Sequence, residues 1–150
     1  MKYIMNYIYA DTLASYIQKF VKGLHRIGSL RRKEEVINDI DFVTKRDLHD
    51  IINDINHIFD FEIHIFGNKY CNFSIRTAHG MKRIDVWRAD DDNELKRIRT
   101  LRTLDKGHFI GLRKKANQQG LTLSEKGLYE PSSKRYINFK NKRDLYNILG

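Results

Sequence analysis

The sequence predicts an α+β fold with two lobes, and three observations carry that reading. Apolar residues recur at helical spacing in two N-terminal stretches, 13–24 and 48–59. Between them and in the middle of the chain lie runs of period-two alternation, the signature of strands. An acidic break, "ADDDNE", then separates the strands from a basic stretch with helical character. Helices and strands segregated in this way give α+β rather than alternating α/β.

Asp11 is a candidate N-cap for a helix carrying Leu13, Ile17, Phe20, Val21 and Leu24, with Gly23 near its stop. "LHRIGS" reads as a short strand running into a turn. "NDIDFV" alternates, with Ile40 and Phe42 on one face and Asp39 and Asp41 on the other. Thr44 followed by Asp47 resembles a capping box. It precedes an apolar stripe of Leu48, Ile51, Ile52, Ile55, Ile58 and Phe59. "FEIHIF", "KYCNFSIRT" and "KRIDVW" are strands joined by "GNK" and "AHG" turns, completing a mixed sheet. Beyond the acidic break the chain is helical to about Gln119. It then forms a hairpin over "GLTLSEKGLYE", a strand at "RYINF" and a closing helix capped by Asn141. The lobe boundary falls near 88–94, which divides the chain into domains 1–90 and 91–150.

At 150 residues the chain can bury roughly 70% of its unfolded surface. The single cysteine, Cys71, excludes an internal disulfide framework and a cysteine-based zinc site, and points to a reduced, intracellular setting. Polar residues interrupt the apolar N-terminus, so neither a signal peptide nor a membrane span is expected and the protein reads as soluble. The net charge of +9 is uneven: residues 1–60 hold nine Lys/Arg and nine Asp/Glu, whereas 111–150 hold nine against three. A basic C-terminal half favours a polyanion such as nucleic acid as partner.

The chemistry is concentrated in "GSLRRKEEVINDIDF", residues 28–42. Aspartates two apart on a strand point the same way, so Asp39 and Asp41 repel unless a cation compensates them. Mg²⁺ suits a carboxylate pair together with substrate phosphates. Gly28 and Ser29, after a strand and before "LRRKEE", put backbone N–H groups, a hydroxyl and a helix N-terminus together where an anion can sit. Arg31 or Arg32 adds a forked cation matched to phosphate oxygens. A two-metal site needs a third carboxylate. Asp85 in "KRIDVW" is the candidate, because Ile84 and Val86 face inward and leave Arg83, Asp85 and Trp87 on the other side. Asp60, Glu62 and Asp90–Asp92 fit less well, lying at a strand edge or in a loop.

These residues resemble the GS-x-RR…D-x-D signature of the DNA polymerase X family, which includes DNA polymerase β. "RIDVW" is similar to the strand holding that family's third aspartate. "HFIGLRKKANQQGLTLSEKGLYE" is similar to its helix and "GLxLNEYGLF"-type hairpin, and "NKRDLYNILG" to its closing helix. The resemblance implies a palm carrying Asp39, Asp41 and Asp85 as catalytic metal ligands for two Mg²⁺, which Mn²⁺ can replace. It implies a triphosphate held by Gly28, Ser29 and Arg32, with Arg83 beside the primer terminus and Arg113 on the template side. Lys114 and Lys115 are the expected duplex-phosphate contacts in a C-terminal lobe that grips DNA and nucleotide.

The expected activity is dNTP addition to a primer in gapped or primed duplex DNA, as in short-gap repair. The protein is expected to act as a monomer, inside a host cell or virion if viral. The alternative is a minimal nucleotidyltransferase acting on a protein, RNA or small molecule. A catalytically dead nucleic-acid-binding module is disfavoured because all three carboxylates are present.

Two departures stand out. The family's N-terminal lyase and helix-hairpin-helix domain has no counterpart before the first helix, which resembles the compact viral members and argues against lyase activity. The family's "YFTGS" turn is replaced by "LRTLDK", residues 101–106, without its aromatics or glycine. The histidines are scattered. His25 and His64 read as strand surface, and His108 matches a family histidine without an assigned role. Trp87 reads as packing and Cys71 as a buried, inert strand residue.

Overall fold

A computed structural model describes residues 4–150. The chain divides between Ala89 and Asp90 into two compact units.

The first unit is a five-stranded mixed sheet with helices packed on one face. Its elements are β1 (Met5–Asn6), α1 (Tyr7–Phe20), β2 (His25–Ile27), α2 (Gly28–Arg31), β3 (Val36–Ile37), β4 (Asp39–Thr44), α3 (Leu48–Asn56), β5 (Phe61–Phe66), β6 (Tyr70–Thr77) and β7 (Gly80–Arg88). The sheet order is β2-β4-β7-β6-β5, with β4 and β7 parallel and every other pair antiparallel. Ile40 and Phe42 of β4, Phe73 and Ile75 of β6, and Ile84 and Val86 of β7 are fully buried. They share one apolar cluster with Ala10, Leu13 and Ile17 of α1 and Leu48, Ile51 and Ile55 of α3. Both helices therefore cover the same face. The alternation that supplies those apolar residues sends Asp39, Asp41 and Asp85 to the other.

Two local expectations are corrected, and one element is new. Asp11 does not cap α1. Asn6 does, its Oδ1 accepting from the Tyr9 amide at 2.8 Å. The earlier start lets α1 bury Ala10 and leaves Asp11 inside the helix, paired with Arg26 at 2.5 Å. Thr44 is not a cap either. It is a buried strand residue, and Asp47 caps α3 by accepting from the His49 amide at 2.7 Å. The two-residue ladder of β1 with β3 is unanticipated, since so short a pairing leaves no periodicity to read.

The second unit has its own core. Its elements are α4 (Asp92–Leu101), α5 (Lys106–Gln118), β8 (Thr122–Ser124), β9 (Gly127–Glu130), β10 (Arg135–Ile137) and α6 (Lys142–Leu149). The expected hairpin and the following strand form one antiparallel sheet, β10-β9-β8. Leu112, Leu123, Leu128, Phe139 and Leu145 form the apolar centre. Each helix carries a side-chain N-cap: Asp91, Asp105 and Asn141. Leu101 and Leu104, in the stretch that replaces the aromatic turn, are buried in this core. The leucines there serve packing.

One consequence concerns the α3 cap. Hydrogen bonds from the His49 amide and ring hold the Asp47 carboxyl below its ordinary value of 3.8. A depressed carboxylate stabilises the fold above its unfolded pKa, and that contribution is lost as pH falls through the folded pKa. Asp47→Ala should therefore lower the unfolding temperature at pH 7, with the gap to wild type closing below about pH 4. Circular dichroism melts from pH 7 to pH 2 check this; a gap independent of pH contradicts it.

Candidate active site

The register of the sheet builds the site. Asp41 lies opposite Asp85 across the parallel β4–β7 pair, and Asp39 lies opposite Arg83. On the other side of β7, Asn72 pairs with Asp85 and Ser74 with Arg83. Two polar rows thus cross the sheet, Asp41–Asp85–Asn72 and Asp39–Arg83–Ser74. Asp39, Asp41 and Asp85 each offer a carboxylate oxygen within 4.8 Å of the others. Among the described residues no other group of three His, Cys, Asp or Glu side chains is so arranged. Asp60 and Glu62 stand outside it.

Negative charge is crowded around Asp39. Burial pushes the Asp39 carboxyl above its ordinary value, and the negative charge of Asp85 pushes it further. Arg83 opposes them, with its Nε 3.9 Å from Asp39 Oδ1. An all-oxygen set of three partly desolvated carboxylates fits a hard divalent cation. Burial and the charge of Asp85 also push the Cys71 thiol up to about 12, so it stays protonated and unreactive.

Gly28 connects this cluster to the residues expected to hold an anion. β2 ends at Ile27, which pairs with Asp41, so Gly28 follows directly beside that carboxylate. Its φ is +71°, and a Cβ there would overlap Asp41 Oδ2. Only glycine meets both demands. Ser29 follows, half-buried, in the single helical turn α2. With one turn, α2 supplies only a short dipole, so any anion there would depend chiefly on nearby N–H groups, the Ser29 hydroxyl and side-chain cations. Arg32 closes that turn, and its Nε donates to Glu34 Oε2 at 2.5 Å. A phosphate using Arg32 would compete with Glu34, a pairing not foreseen from the sequence.

The remaining expected residues lie on α5 in the second unit. Arg113, Lys114 and Lys115 are all exposed. Lys115 Nζ donates to the Gly150 carbonyl at 3.2 Å, so its ammonium already has a local partner. His108 is exposed and its Nδ1 lies 2.8 Å from Asp105 Oδ2, next to the α5 cap. The second unit holds fourteen Lys/Arg against eight Asp/Glu.

Two further residues of the first unit reach the carboxylates. Tyr70 Oη donates to Asp85 Oδ1 at 3.0 Å, and Asn72 Nδ2 donates to the same oxygen. Asn72 is fully buried. Burial, then the charge of Asp85 and the bond to it, push the Tyr70 phenol up to about 12, so it remains a donor. Trp87 packs against the Tyr70 ring with centroids 4.8 Å apart. A signal for these contacts was present in the sequence. Reading Ala78–His79 as a two-residue turn sets Thr77 opposite Gly80, and counting back places Asn72 opposite Asp85.

Residues 102–150 match the DNA polymerase beta thumb family. A search of curated proteins finds no match. The matched segment lies wholly within the second unit. It supports the DNA polymerase β family at a coarse level and points to a DNA polymerase, with DNA binding and divalent-metal use as its corollaries. No helix among the described residues is long and apolar enough to cross a membrane.

The charge crowding has a direct test. Asp39→Asn should raise the unfolding temperature in EDTA, because it removes a repelling charge from the cluster, and should remove any rise that Mn²⁺ gives wild type. Gly28→Ala should act differently. It should lower the metal-free unfolding temperature, through strain of about 1–3 kcal/mol at a left-handed position, and displace Asp41. Scanning fluorimetry with EDTA or Mn²⁺ reads both; a destabilised Asp39→Asn would refute the crowding argument.

Proposed function

We propose that the protein is a DNA-directed DNA polymerase that adds single dNTPs to a primer 3′ end in gapped duplexes. In this reading residues 1–90 form the catalytic palm, and residues 91–150 grip DNA and nucleotide. The observation that carries it is the Asp39, Asp41, Asp85 triad gathered beside the Gly28–Ser29 turn. The thumb match over 102–150 supports DNA as the substrate.

Asp39, Asp41 and Asp85 would hold two Mg²⁺, with Mn²⁺ able to substitute. When bound, such ions polarise the attacking hydroxyl and offset charge on the phosphates. Ser29 and Arg32 would bind the triphosphate and orient its α-phosphorus for in-line attack, with Arg32 exchanging Glu34 for phosphate. Arg83, adjacent to Asp39, would steady the primer terminus. The primer 3′ oxygen forms a bond to the α-phosphorus and its proton passes to solvent. The bond from the α-phosphorus to the bridging oxygen breaks, and pyrophosphate leaves. Arg113 and Lys114 would contact the DNA from α5. The protein would act as a monomer in a compact, virus-type polymerase.

Primer extension on a one-nucleotide-gapped duplex with each dNTP tests the reading. Wild type should insert the complementary nucleotide, and Asp39→Asn, Asp41→Asn and Asp85→Asn should each lose at least about a hundredfold in rate, about 2.7 kcal/mol in the barrier. Nucleotide transfer to protein, RNA or a small molecule, with no templated extension, would establish a minimal nucleotidyltransferase instead.

DNA binding has a separate readout. Log affinity for gapped duplex should fall linearly with log salt, at a slope of about −0.9 per phosphate neutralised. Lys114→Ala should flatten that slope by about one unit for all sequences alike. Lys115→Ala should change it less, because its ammonium already contacts the Gly150 carbonyl. Binding that ignores salt would remove α5 from the interface.

A further inference from the structure

We propose that Tyr70 and Asn72 are positioning residues that hold the Asp85 side chain in the orientation that meets Asp39 and Asp41, and thereby set the affinity of the triad for a divalent cation. The inference rests on the metal-binding reading of the triad.

Three carboxylates forced together repel, and a side chain with two free torsions relieves repulsion by turning away. Asp85 is prevented from doing so by donors on the neighbouring strand. Asn72 stands opposite Asp85 in the β6–β7 register and is fully buried, so its amide has little freedom to follow a retreating carboxylate. Tyr70 reaches the same carboxylate from the Trp87 pairing position, two residues along the strand, with its ring against the Trp87 indole. Its hydroxyl is 3.0 Å from Asp85 Oδ1. Both donors end on Oδ1 and neither engages Oδ2. One oxygen of Asp85 is therefore fixed by the protein, which orients the carboxylate without using up its second oxygen. Outer partners that orient a ligand in this way typically change metal affinity by about 10- to 100-fold when removed.

Residues chosen only to fill the sheet would not need this chemistry. A strand residue between Cys71 and Phe73, fully buried, would be better filled by valine or isoleucine unless its amide had a partner. That partner is Asp85. Tyr70 likewise brings a hydroxyl to a position where phenylalanine would pack equally well against Trp87.

Mn²⁺ binding to the intact chain without DNA or nucleotide, followed by the electron paramagnetic resonance signal of the free ion, tests the inference independently of activity. Tyr70→Phe and Asn72→Leu should each weaken Mn²⁺ binding about tenfold. Tyr70→Phe should leave the metal-free unfolding temperature near wild type. In primer extension, Tyr70→Phe should raise the Mg²⁺ concentration for half-maximal rate by a similar factor with little change in KM for dNTP. Asp85→Asn is the reference. If it abolishes Mn²⁺ binding while Tyr70→Phe and Asn72→Leu bind as wild type, the positioning role is overturned and the polymerase reading stands. If Asp85→Asn binds Mn²⁺ as wild type, the metal role of the triad fails and the positioning role with it. Should Asn72→Leu not fold, Tyr70→Phe decides alone, since it removes one oxygen from a half-buried ring.

Discussion

The parallel pairing of β4 with β7 is the constraint on which the rest of the first unit depends. It sets Asp41 beside Asp85 and Asp39 beside Arg83. The same pairing stacks Ile40 and Phe42 against the helices in company with Ile84 and Val86. Because strand side chains alternate, a slip of one residue would exchange the two sets, driving carboxylates into the core and isoleucines into water. Burial of the apolar face therefore secures the register, and the register assembles the carboxylates. The sheet holds a locally unfavourable cluster because the opposite face strongly favours this one alignment.

Around that cluster the neighbours divide the work of tolerating it. Arg83 offsets part of the charge, while Tyr70 and Asn72 accommodate one oxygen of Asp85. Gly28 does something different: it allows the β2–α2 turn to come against Asp41 where any side chain would collide. The turn and the carboxylates are thus mechanically one feature. Stability sacrificed at a site for the sake of chemistry is a general pattern, and here it is visible as the raised Asp39 carboxyl.

The second unit is organised on another principle. Its core is made of leucines from three helices and a small sheet, and its helix starts are each closed by Asp or Asn. Arg97 lies over the Tyr136 ring at 5.0 Å and donates to Asn138, and Gly127 leaves room for its stem. Basic side chains here serve packing as well as charge, so a count of lysines and arginines overstates what is available to a polyanion.

Much of this was legible from residue order alone. Period-two alternation in "NDIDFV" and "KRIDVW" sufficed to put Asp39, Asp41 and Asp85 on polar strand faces, because alternation is a property of the extended backbone itself. Helical periodicity sufficed for α1 and α3, although not for their starts: Asn6 and Asp47 took the caps assigned to Asp11 and Thr44. In the second unit Asn141 caps α6 as expected, but the single helical region expected to about Gln119 is broken into α4 and α5. Capping is a competition between nearby candidates, and packing of the helix decides it. Only the tertiary structure decided which strands are neighbours. Nothing local in β4 specifies β7 as its partner more than forty residues on, so the gathering of the three carboxylates depended on non-local pairing. The same holds for Tyr70 and Asn72 on Asp85, and for the need of Gly28 to be glycine, since each is a contact between segments that meet only once the sheet has closed over its core.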